Sequence, residues 1–213
     1  MKAIRALMLF VFAFASAIAN AQLAIATNFS GLWWNPNESG WGAHTTHQGS
    51  NLFLALYVND VDSEPLWLTM SNGVLQSDGK TFRGDLYRVT GSPFGVTPFV
   101  PLQASDVAIV GTMSVTYTST ETGVLTYTVN GNQVVKKIQK QIFGKNAAKC
   151  SFTNNLDRSS LTNYQDLWWN PSESGWGLSL VHQDDTLFAV AYVYTESRRP
   201  TWFILSNGVK QSD

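Results

Sequence analysis

The chain has 213 residues, with 14 Lys and Arg against 15 Asp and Glu and a formal net charge of −1. That near-balance excludes a dedicated nucleic-acid binder, which needs a basic face. Charged residues are only 14% of the chain, and 8 Trp, 7 Tyr and 12 Phe accompany many Thr, Val and Gly residues. This composition excludes disorder and favours strands over helices.

Lys2 and Arg5 precede an apolar run from Ala6 to Ile18, and Ala19-Asn20-Ala21 follows. A basic start, a short apolar stretch and a small-x-small site are the marks of a secretory signal peptide, assigned to residues 1–21. The run is too short to span a bilayer comfortably, and no later stretch is apolar enough for a transmembrane helix. No Cys stands at the cleavage point to take a lipid. The mature chain then begins near Gln22, is exported to the periplasm or the extracellular space, and carries an acidic excess of about three. Residues 22–30 form an N-terminal lead.

A complete β-unit is expected over residues 31–144. Trp41–Gln48 is one strand. In Leu52–Val58 both faces are apolar, with Leu52, Leu54, Leu56 and Val58 on one and Phe53, Ala55 and Tyr57 on the other, which suggests cover on each side. Asp60–Glu64 is a turn and Leu66–Met70 a strand, and Asn72-Gly73 and Asp78-Gly79 are turn dipeptides. Thr81–Val89 is a strand, residues 90–105 a long Pro- and Gly-rich loop, and Val107–Thr118 a further strand. Leu125–Val129 and Val134–Phe143 flank Asn130-Gly131, the signature of a type I′ hairpin. About seven antiparallel strands with local connections suggest an all-β meander. Such a sheet must close into a barrel or double over into a sandwich; the barrel is preferred because the links are local. Lys136 and Lys140 share strand parity with Ile138. They either reach a lumen or, on an edge strand, block edge-to-edge pairing, and the edge reading is preferred.

Residues 145–166 form a polar linker containing Cys150, the one cysteine. No internal disulfide is possible. A leftover Cys in an exported chain suggests pairing with a Cys outside this sequence, or a free thiol.

From residue 167 the chain repeats itself. Leu32-Trp33-Trp34-Asn35-Pro36-Asn37-Glu38-Ser39-Gly40-Trp41-Gly42 returns as Leu167-Trp168-Trp169-Asn170-Pro171-Ser172-Glu173-Ser174-Gly175-Trp176-Gly177. The match continues without a gap through His47/His182, Tyr57/Tyr192, Trp67/Trp202 and Asp78/Asp213, with about 25 of 47 positions identical at a constant offset of 135. Residues 167–213 are therefore a second copy, matching less than half of the first. As it stands this copy is expected to be unable to close its own sheet, and a sequence that is a fragment is the preferred explanation, since unpaired strand edges are normally avoided.

The Leu-Trp-Trp-Asn-Pro-x-Glu-Ser-Gly-Trp-Gly segment resembles the opening of tandem β-repeats in secreted proteobacterial proteins. Residues Gly123–Gly131, with Ile138 and Phe143, resemble their closing hairpin. The resemblance implies secretion and a repeated β-unit and supplies no catalytic residues.

The candidate ligand-binding residues are Trp33, Trp34, Glu38, Trp41 and His47, with their counterparts Trp168, Trp169, Glu173, Trp176 and His182. Indole is a flat apolar plate with one N–H donor and can stack on a sugar, and a neighbouring carboxylate can bond its hydroxyls. For Trp67 and Trp202, mid-strand, a core role is favoured. A turn role is favoured for Glu38 and Glu173, and a structural one for His47 and His182. His44 and His47 lie three apart on opposite strand faces and make a poor metal pair. No catalytic, metal or cofactor residue is assigned, since there is no nucleophile elbow, phosphate loop or zinc spacing. The favoured reading is an exported, non-catalytic binding module for an extracellular glycan or protein. The alternatives are a polymer-degrading hydrolase using Glu38 or Asp78, and a structural or adhesive repeat protein.

Overall fold

The computed structural model describes residues 27–145, 163–209 and 211. Residues 1–21, expected to be a signal peptide, most of the N-terminal lead and Cys150 lie outside the described residues. Eight strands form a closed antiparallel barrel: β1 (Gly31–Trp34), β2 (Gly42–Gln48), β3 (Asn51–Asn59), β4 (Pro65–Leu75), β5 (Thr81–Val89), β6 (Val107–Tyr117), β7 (Thr122–Val129) and β8 (Asn132–Lys140). Each pairs with the next, and β8 returns to β1 through Trp33↔Lys140 and Trp34↔Gln139. The sandwich alternative therefore falls. There are eight strands rather than seven because the Leu-Trp-Trp opening is itself the strand that closes the ring. Among the described residues no helix is long and apolar enough to cross a membrane.

Closure corrects the reading of the two lysines. β8 is paired on both sides, so it is no edge. Lys136 and Lys140 keep the inward parity of Ile138, a core residue. Lys136 Nζ bonds Glu38 and lies 5.6 Å from the Trp41 ring, and Lys140 Nζ lies 5.4 Å from the Trp33 ring. Their charges meet a carboxylate and indole faces, where a cation is attracted to the ring quadrupole.

The barrel follows from alternation. Leu52, Leu54 and Leu56 of β3 and Leu66, Leu68 and Met70 of β4 point into one core with Trp33, Phe82, Met113, Val115 and Ile138. Asn130 and Gly131 take φ values of 49° and 83°, the positive pair that the type I′ turn requires. Asn72-Gly73 is not a turn. It lies inside β4, where the register with β3 shifts between Leu52 and Leu54, so a bulge absorbs what resembled a break. Asp78-Gly79 is a turn, with the Asp78 carboxylate accepting from the backbone N–H groups of Lys80 and Thr81 and from the Thr81 hydroxyl.

The second copy forms β9 (Asp166–Trp168), β10 (Gly177–Gln183), β11 (Thr186–Tyr194) and β12 (Pro200–Val209), an open sheet in the order β12-β11-β10-β9. It keeps the register of the barrel's first half. Gly177 faces Tyr192 as Gly42 faces Tyr57, and the same bulge recurs between Leu187 and Ala189.

The two copies pack outer face to outer face around a near-two-fold relation. Trp67 Nε1 donates to the Val193 carbonyl at 3.0 Å, and Trp202 Nε1 donates to the Val58 carbonyl at 2.9 Å. Each donor and acceptor is the other's repeat counterpart. The rings follow suit, with Tyr57 edge-on to Trp202 at 5.6 Å and Tyr192 edge-on to Trp67 at 5.9 Å. Leu32, Ala55, Val181 and Val190 fill the space between. The second apolar face of β3 is thus covered by the other repeat, the reason for its apolar character on both sides. His44, on the outer face of β2, is fully buried near this seam, and Ser179 is its buried counterpart in β10.

Charge breaks the symmetry. The first copy's β3–β4 turn contains Asp60, and the matching turn of the second contains Arg198 and Arg199. Arg199 pairs with Asp60 at 3.4 Å, and Arg198 with Asp106 at 2.8 Å.

Candidate functional site

Each copy begins with a clamp that places its tryptophans. Asn28 Nδ2 donates to the His47 carbonyl, the Phe29 N–H donates to His47 Nδ1 at 3.2 Å, and the Phe29 ring stacks on the imidazole at 5.6 Å. Asn163, Tyr164 and His182 repeat this arrangement, with the same 3.2 Å bond and stacked rings 5.8 Å apart. His47 Nδ1 accepts, so in the neutral ring Nε2 carries the proton and donates to the Gly49 carbonyl at 2.9 Å. Burial lowers the His47 pKa, opposed by that Gly49 bond. His47 and His182 are therefore buried latches of the opening segments, and His47 also reaches the wall of a hollow at the barrel's end. The unit begins earlier than the Leu-Trp-Trp motif suggests, at an Asn-aromatic pair that the sequence carries at 28–29 and 163–164 with the same offset of 135.

The tryptophans divide by strand parity. Trp33 is wholly inside the barrel, donating from Nε1 to the Phe29 carbonyl and to Thr45 Oγ1, so it is a core residue and not a binding plate. Trp34 is half-buried, while Trp168 and Trp169 are exposed. Trp67 and Trp202 belong to the seam. Trp41 packs against the barrel core.

The two opening turns have one backbone and two chemistries. In each, the Glu N–H donates to the Asn carbonyl three residues back at 3.0 Å, and the Asn side chain accepts the N–H two residues on. Gly40 and Gly175 take φ values of 98° and 118°, which favour glycine. In the first turn Glu38 bonds Lys136 and accepts from Asn35 Nδ2 at 2.8 Å. The Lys136 bond, chiefly, holds its pKa below the usual carboxylate value. In the second turn Glu173 Oε2 accepts from Trp176 Nε1 at 2.9 Å.

Glu173 and Trp176 line a hollow of about 340 Å³ at the junction of the copies. Its other walls are Pro93, Phe94, Phe99 and neighbours in the long β5–β6 loop, with Val193. The Phe94 N–H donates to the Tyr194 carbonyl at 3.1 Å, tying this loop to the second copy. A larger hollow of about 470 Å³ opens at one end of the barrel, between Phe29, His47, Lys80, Phe82 and Tyr117. The aromatic rings there pack on one another, with Phe29 and Tyr117 stacked at 4.0 Å.

The carboxylates proposed for hydrolysis do not come together. The register places the Glu38 turn beside Gly42 and Tyr57, and the Asp78 turn beyond Asn51 and Val74. These are opposite ends of strands rising about 3.3 Å per residue, whereas glycosidase carboxylates lie about 5–10 Å apart. Among the described residues, no three His, Cys, Asp or Glu side chains group closely enough to hold a metal ion.

The chain matches no protein-family model, and no curated protein is significantly similar to it.

Proposed function

We propose that this protein is an exported, non-catalytic binding module whose ligand site is the junction hollow, and that its ligand is a saccharide of an extracellular glycan. One observation carries the reading: the fold turns Trp176 and Glu173 of the repeated motif toward Phe94 and Phe99 of the other copy, around a space of ligand size. Aromatic walls suit the C–H faces of a sugar ring, and the Glu173 carboxylate can accept from its hydroxyls. The first copy's equivalent carboxylate is engaged by Lys136, so the two turns are not two equal sites.

Glycan-array screening followed by titration of the best hit tests this. Trp176→Ala is expected to weaken binding at least tenfold and Glu173→Gln severalfold, whereas Glu38→Gln leaves it unchanged. Binding of no glycan, or binding indifferent to Trp176, would sink the proposal. Turnover of a glycan abolished by Glu173→Gln would replace it with a hydrolase.

A further inference from the structure

We propose that the outer face of the first repeat is a docking surface selective for a repeat with a basic β3–β4 turn, and that its own acidic turn bars the same face from pairing with another first repeat. The reciprocal contact at the seam does not discriminate by itself. Tyr57, Val58 and Trp67 have the identical counterparts Tyr192, Val193 and Trp202, and each Trp donates to the Val carbonyl of the other copy. A near-two-fold contact built from identical residues would accept two first repeats as an isologous pair. Whatever selects the second repeat must therefore lie in residues that differ between the copies.

The turns that meet across the seam differ in charge and not in backbone. In the first, the Asp60 N–H donates to the Glu64 carbonyl at 2.8 Å and the Ser63 N–H to the Asp60 carbonyl at 2.9 Å. In the second, the Thr195 N–H donates to the Arg199 carbonyl at 2.9 Å and the Arg198 N–H to the Thr195 carbonyl at 2.8 Å. Ser63 and Arg198 share a φ of 63°. On this common frame the first turn carries Asp60, Asp62 and Glu64 and no base. The second carries Arg198 and Arg199 with one acid, Glu196.

The near-two-fold relation defines what the wrong partner would meet. Arg199, which pairs with Asp60 at 3.4 Å, is the counterpart of Glu64. A first repeat docked in place of the second would bring Glu64 to Asp60, and the symmetry would impose that clash of acids twice. It would also put Ser63 where Arg198 stands, so that Asp106 loses the guanidinium now 2.8 Å away. Arg88 lies 3.7 Å from Asp60 on the same copy; it is present in either pairing and does not distinguish them. The correct partner is attracted and the wrong one repelled, which is how interfaces gain specificity beyond shape. Packing of the outer faces supplies the hold, and the turn charges supply the choice of partner.

Exchange of the Trp67 and Trp202 indole protons in the full chain tests it. Arg198→Ser with Arg199→Glu gives the second turn the first turn's residues at those positions. At low salt this pair is expected to speed exchange severalfold beyond the neutral pair Arg198→Gln with Arg199→Gln, which removes attraction without adding repulsion. Molar salt is expected to remove most of the difference. Adding Asp60→Arg to the charge-reversed variant is expected to restore slow exchange, a rescue that a merely structural role for Arg199 would not produce. Amide protection in β6 is expected to stay constant throughout, which separates opening of the seam from loss of the fold. Equal exchange in the reversed and neutral variants, a difference unmoved by salt, no rescue by Asp60→Arg, or faster exchange matched by lost protection in β6 would each overturn the proposal.

Discussion

The strands β1–β4 and β9–β12 share about 25 of 47 aligned residues, one register and one bulge, and yet only one of their two faces fares alike. The centres of the outer faces are buried in both copies, because each copy covers the other through Trp67 and Trp202. The lumen faces diverge: in the barrel β5–β8 cover them, and in the open sheet Trp168, Phe203 and Leu205 remain exposed. Sequence identity alone does not set burial. The same indole is a core plug where a ring of strands closes over it and a surface residue where none does. The open sheet is therefore held chiefly by its outer face.

Unequal burial makes equivalent substitutions unequal. Trp33→Ala removes a fully buried indole and two hydrogen bonds, and should cost about 3–5 kcal/mol in denaturant unfolding. Trp168→Ala, measured in dilute solution, should cost roughly 1 kcal/mol. Equal costs would break the comparison.

The seam has its own pH signature. Burial pushes the His44 pKa down from 6.5 to about 4, with Asp166 acting in the opposite direction. The folded value is the lower, so the unfolded chain binds more protons between the two. Stability from the neutral ring is complete above pH 6.5 and is lost as pH falls from 6.5 toward 4, on the order of 3 kcal/mol in all. His44→Ser, which installs the residue found at 179, should flatten that part of a stability–pH profile. The carboxylates of Glu38, Asp78 and Asp106, each held low by hydrogen bonds, lose their contributions at lower pH still. A profile unaffected by His44→Ser would place this histidine outside the seam.

Smaller effects sharpen the picture. Trp67→Phe keeps the ring packing but leaves the Val193 carbonyl without its donor, and should cost about 1–2 kcal/mol in unfolding of the second sheet. Arg198→Ala removes a half-exposed guanidinium from its pair with Asp106 and should cost about 1 kcal/mol, most of which salt erases. A larger, salt-insensitive loss would mean that charge rather than packing holds the copies together.

Much of this was legible in the residues. The two-sided apolar character of Leu52–Val58 announced cover on both sides, and Asn130-Gly131 announced its hairpin. Thr81–Val89 has the bounds expected for it. Other features were illegible for physical reasons. Trp33 and Trp34 are adjacent and chemically alike, and only closure of β8 onto β1 decides which one is enclosed. Asn72-Gly73 carries turn chemistry that a bulge uses equally well. The junction hollow depends on a loop more than 70 residues from Trp176 in sequence, which no local pattern connects to it. Two signals were present and overlooked: the Asn-aromatic pair ahead of each motif, and the exchange of acids in one β-turn for Arg198 and Arg199 in its counterpart.

Exchange of the tryptophan indole protons tests most directly the claim that the second copy is held through its outer face. The indole N–H groups of Trp67 and Trp202, each bonded to a carbonyl of the other copy, should exchange slowly and in step. That of Trp169, which is exposed, should exchange at once. Indole protons of Trp67 and Trp202 that exchange as fast as that of Trp169 would show that the copies do not pack this way.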